Sequence, residues 1–209
     1  MAYDNMDVQE SIEQWSPTLF LVAAVLVAGH ATFLGVQAFT EMTTPPDVFA
    51  PLGHIVALVG LSGLYPALAD RSSRLARAAA VGAAVAAVGW LVIFAWQVGE
   101  LAGVLSPPTG ALPGVVFPVA IVSAVVTYTL FGVTSHRAGI RSRAVARRLL
   151  MPAGLFSGLI ASIAVTGASA LVGFLFASGL VVAYLAIGRS LRTEVAPTDS
   201  ETPADATAG

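Results

Sequence analysis

From Leu149 to Ile187 the chain runs for 39 residues without an aspartate, glutamate, lysine or arginine. At 1.5 Å per residue such a run makes about 58 Å of helix, nearly twice the ~30 Å of a bilayer's hydrocarbon core. It reads as two spanning helices, 149–166 and 169–187, turned at Thr166, Gly167, Ala168 and Ser169. Four earlier blocks, about 17–39, 48–69, 78–98 and 115–134, are each apolar and long enough to cross once. With 56% hydrophobic residues and 11% charged, the composition is that of a chain with lipid as its solvent. A transmembrane barrel would need shorter, alternating segments. The expected fold is therefore all-α, a polytopic bundle of six transmembrane helices.

The charges supply an orientation. All ten cationic residues are arginine. With six spans they fall on one side, in the loops at 70–77 and 135–148 and just after the last helix, while the other side holds only Glu41, Asp47 and Glu100. The positive-inside rule then makes both termini cytoplasmic, a multi-pass protein of the cell membrane with N-in/C-in topology. Residues 1–16 form an acidic tail with no positive segment before the first apolar block, which is too long for a signal peptide. Ser16 is the expected cap of the first helix and Pro17 its first turn. Residues 190–209 read as a disordered tail rich in Pro, Thr, Ala and acidic groups.

Ionisable groups inside a span are expensive, so each is a functional hypothesis. His30 lies ~13 Å and His54 ~9 Å from the outer interface, at a nearly common depth on adjacent helices. Gln37, Glu41, Gln97 and Glu100 lie towards the same edge, and with the two histidines they are candidates to line a polar path or to bind a partner. His30 and His54 are also the candidate cofactor ligands, since two facing imidazoles can hold a b-type haem. An outer haem would direct its propionates to a face without arginine or lysine, which weighs against that alternative. A three-histidine zinc site is not available, because His136 belongs to the opposite face. The remaining reading gives each histidine a hydrogen bond to a neighbouring helix.

Gly60, Leu61, Ser62 and Gly63 read G-x-S-G, the short motif of rhomboid-type intramembrane proteases. That chemistry needs a histidine base on a late helix, and the last two spans have none. Gly154 and Gly158 form a G-x-x-x-G pair, and Gly173, Ala177 and Gly179 line the last helix. Both sets permit close helix contact, within the monomer or across a homodimer face. Arg137, Arg141, Arg143, Arg147 and Arg148 are placed to meet anionic lipid headgroups. No folded basic domain, P-loop or H-E-x-x-H pattern is present, so neither nucleic-acid binding nor soluble-enzyme chemistry is expected. The absence of cysteine removes disulfides and thiolate metal sites.

The run GLSGLYPALADRSSRLA from Gly60 to Ala76, with the six-span layout, resembles uncharacterised integral membrane proteins of halophilic archaea. The resemblance implies membrane location and a helical fold, and it carries no activity. The expected function is non-enzymatic, a small transporter or an accessory membrane subunit, with b-haem electron transfer as the alternative.

Overall fold

The structure is a computed structural model that describes residues 3–40, 42, 44–106, 112–139 and 141–195. Glu41 and the tail 196–209 lie outside the described residues, within which there is no strand. The helices are α1 (Tyr3–Phe39), α2 (Phe49–Ser62), α3 (Tyr65–Arg71) and α4 (Ser73–Leu101). A π-helical turn, Leu112–Val116, leads into α5 (Phe117–Ala138), followed by α6 (Arg143–Thr166) and α7 (Ala170–Val195). Five helices are long and apolar enough to cross a membrane, and the bent pair α2–α3 makes a sixth if it is counted as one span. Their outer faces, with Val81, Val88, Leu91, Leu175 and Val182 exposed, are as apolar as a lipid-facing surface requires. These are the features of a multi-pass helical membrane protein.

Several boundaries differ from the sequence reading. α1 begins at Tyr3 and continues through Pro17, so Ser16 does not cap it. Ser16 is buried and donates a hydrogen bond to the Gly60 carbonyl at 2.6 Å. That carbonyl is free because the second span breaks: Leu64 N–H turns to Leu61 O at 2.9 Å, and Pro66 in the first turn of α3 has no N–H to give. The two pieces meet at 44°. A hydroxyl from a neighbouring helix satisfies the backbone group that the break releases, which is how a broken helix is tolerated in lipid. α4 and α6 also start earlier than expected and take Arg74, Arg77, Arg143, Arg147 and Arg148 into their first two turns. At its C-terminal end α7 runs on through residues 190–195, so that part of the tail is helical.

The spans pack in chain order as a closed ring: α1 on α2, α2 on α4, α4 on α5, α5 on α6, α6 on α7, and α7 back on α1. Short α3 rests on α4 and α5. Close approach depends on glycine at several of these seams, two of which show it most directly. A Cβ on Gly188 would lie 2.9 Å from the Pro17 carbonyl oxygen, and one on Gly89 would lie 2.8 Å from the Ala120 Cβ. Gly173 and Gly179 face Leu34 and Leu155, as the small-residue pattern of the last helix anticipates. Gly154 and Gly158 differ, because nothing lies within 4 Å of either added Cβ and this face of α6 points away from the bundle.

One end of the ring is pinned by charge. Arg141, between α5 and α6, donates to Glu13 of α1 at 3.0 Å and lies 3.7 Å from Glu194 of α7. The other carboxylate oxygen of Glu194 accepts from Ser142 N–H at 2.9 Å. The opposite end is where the α1–α2 loop, the end of α4 and the α6–α7 turn converge, and there the ring is open inside. Gly167 ends α6 with a positive φ of 79°, a backbone conformation that suits glycine, and Ser169 Oγ accepts from Val172 N–H at 3.3 Å to begin α7.

Candidate functional site

The site is built first by the α1–α2 hairpin. Asp47 sits two residues before α2, where a carboxylate satisfies a free helical N–H and meets the positive end of the helix dipole. One of its oxygens accepts from Phe49 N–H at 2.8 Å, and the other pairs with Nδ1 of His30 on α1. Both members of the pair are about four-fifths buried, with side-chain exposures of 19% and 18%. Asp47 therefore joins two helices and fixes the His30 ring. Nearby, Gln37 donates to Thr44 Oγ1 and ties the loop to the end of α1.

His54 is held differently. It lies in the ring's interior, where its Nδ1 is 3.1 Å from the Tyr184 hydroxyl of α7. Tyr184 in turn accepts from the Tyr128 hydroxyl of α5, also at 3.1 Å. Both phenols are fully buried, so their hydroxyls depend on one another and on the imidazole for partners. Trp90 lies against His54 with ring centroids 4.2 Å apart, and Phe156 approaches it to 5.3 Å. α2, α4, α5, α6 and α7 thus all contribute to one polar and aromatic centre.

Above that centre is a cavity of about 500 Å³. His30, Asp47, Gln37, His54, Gln97 and Glu100 line it, with aromatic rings filling much of the remaining wall. The volume falls within the ~300–1,000 Å³ common for small-molecule sites. Two buried polar atoms of residues that line it, Nε1 of Trp90 and Oε1 of Gln97, have no protein partner, and neither presents accessible surface to the cavity. Both belong to α4, seven residues apart, so they lie on one helix face about 10 Å apart along the axis.

The sequence-named residues His30, Gln37, His54, Gln97 and Glu100 come together on this wall. The two histidines share the cavity but bond to different partners, His30 to Asp47 and His54 to Tyr184. Asp47, Tyr184, Tyr128 and Trp90 are the residues that sequence reasoning did not assign to the site. For Asp47 the available signal was an acidic residue immediately before an apolar helix, and for the tyrosines it was a hydroxyl in the middle of an apolar span. Trp90 is 4% exposed and belongs to the interior.

The remaining candidates fall elsewhere. Ser62 of the G-x-S-G run donates to Val59 O at 2.7 Å, and among the described residues no histidine contacts it. Of the basic cluster, Arg141 is taken by its ion pairs and Arg148 bonds to Ser190, while Arg137, Arg143 and Arg147 are exposed at the arginine end. Among the described residues no group of three His, Cys, Asp or Glu side chains is placed to hold a metal ion. Comparison with protein-family models, with curated proteins and with solved structures gives no match to this chain.

Proposed function

We propose that this protein is a non-enzymatic membrane protein that admits a small polar solute into the cavity between His30, His54 and Glu100, as a small transporter or as the solute-binding subunit of a membrane assembly. One observation carries this reading: a ligand-sized cavity recessed in an apolar bundle and lined by ionisable groups. Polar surface of this kind is costly inside a bilayer unless something uses it.

The reading includes six spans, with α2–α3 as one bent span, and both termini in the cytoplasm. It is supported by the arginines Arg71, Arg74, Arg77, Arg137, Arg141, Arg143, Arg147, Arg148, Arg189 and Arg192, which sequence order assigns to one end of the helices. On that orientation the cavity faces the cell exterior, and the exposed Arg137, Arg143 and Arg147 meet anionic headgroups of the inner leaflet. The outward Gly154–Gly158 face is then free for a homo-oligomer or a partner helix.

The chain has no native cysteine, which provides a direct test. Gln97→Cys is expected to react in intact cells with a thiol reagent that cannot cross the membrane, whereas Ala177→Cys, fully buried between helices, is expected not to react. Protection of Gln97→Cys until the cells are lysed would overturn the exterior-facing cavity.

A further inference from the structure

The chemistry of the cavity wall goes beyond a generic polar solute. Its charged groups are the carboxylates of Asp47 and Glu100 with the imidazole of His30, and no arginine lines it. An anion would find no guanidinium or ammonium there to pair with. A divalent metal would lack a set of three ligands among the described residues. Aromatic residues share that wall: Phe33, Trp90, Phe117, Phe156 and Phe176 all contribute to it. Aromatic faces and carboxylates together recognise an organic cation, whose diffuse charge interacts with the rings.

We infer that the cavity binds a small organic ammonium compound, with its cationic group held by the carboxylates of Asp47 and Glu100 and the aromatic residues that share the wall. This inference rests on the solute-binding reading above and assigns its ligand class.

Calorimetric titration of the purified protein in detergent tests it, with choline as the cationic probe and 3,3-dimethyl-1-butanol as its neutral isostere. Choline is expected to bind, and the isostere to bind at least about tenfold more weakly, because only the cation engages the carboxylates and the ring faces. Glu100→Gln, at a half-exposed position that folding tolerates, is expected to weaken choline while leaving the isostere unchanged. Equal binding of choline and the isostere would overturn the cation assignment and leave solute binding standing. The same follows if Glu100→Gln has no effect on choline. Failure of both probes to bind would also overturn the assignment, and the reactivity of Gln97→Cys then decides separately whether the cavity is open to solutes at all.

Discussion

The Tyr184 hydroxyl is the junction of the buried centre, and replacing Tyr184 by Phe isolates its contribution. The substitution keeps the ring and its packing on Phe20, 6.0 Å away between centroids. What it removes is one oxygen that serves two partners, the Tyr128 hydroxyl and Nδ1 of His54, each at 3.1 Å. Hydrogen bonds between membrane helices contribute about 0.6 kcal/mol on average and up to about 1.7. Two lost bonds therefore cost about 1–3 kcal/mol for Tyr184→Phe. Tyr128→Phe breaks one of the two and should cost about half as much. The two changes should not add, because Tyr184→Phe strands the Tyr128 hydroxyl and Tyr128→Phe then removes the stranded group. The double variant should be no less stable than Tyr184→Phe alone. Denaturant unfolding in micelles, followed by circular dichroism, measures all three. A cost for Tyr128→Phe equal to that for Tyr184→Phe, or simple additivity in the double variant, would refute the junction.

Other substitutions probe the helix seams and the cofactor alternative. Gly188→Ala places a methyl 2.9 Å from the Pro17 carbonyl oxygen and should destabilise the protein by about 1–3 kcal/mol in the same unfolding experiment. Gly154→Leu and Gly158→Leu enter open space and should change monomer stability by no more than about 0.5 kcal/mol, with any larger effect confined to the oligomeric state seen by light scattering. An absorption spectrum of the purified protein should show no Soret band. A band that is lost in His30→Ala or His54→Ala would replace solute binding with b-haem electron transfer.

Much of the fold was legible because membrane spans are long and apolar and because turns and charges punctuate them. The turn at Gly167 and the small-residue seams at Gly173 and Gly179 follow from that logic directly. Helix rotation was much less legible. A water-soluble helix declares its buried face by polarity, but a lipid-facing side chain is as apolar as one in the bundle interior, so sequence periodicity says little. Gly154 and Gly158 turned out to face away from the bundle, and Trp90 to face into it, for that reason. The candidate site was half legible. His30, His54, Gln97 and Glu100 stand out as polar groups in apolar surroundings, whereas the partner of His54 lies 130 residues away on a helix that no local pattern connects to it.

Ring closure also orders assembly. α1 is synthesised first, but its most extensive contact is with α7, which leaves the ribosome last. Until α7 arrives, the seam that will hold Gly188 against Pro17 has no partner but lipid, and Arg141 can hold Glu13 but not yet Glu194. The nascent bundle is an open arc that one final insertion converts into a closed circuit. Because its first and last helices are neighbours, the circuit has no privileged starting point. A permuted chain that joins α7 to α1 and opens at the α5–α6 loop would retain every seam, while losing the local linkage that holds Arg141 between its two carboxylates.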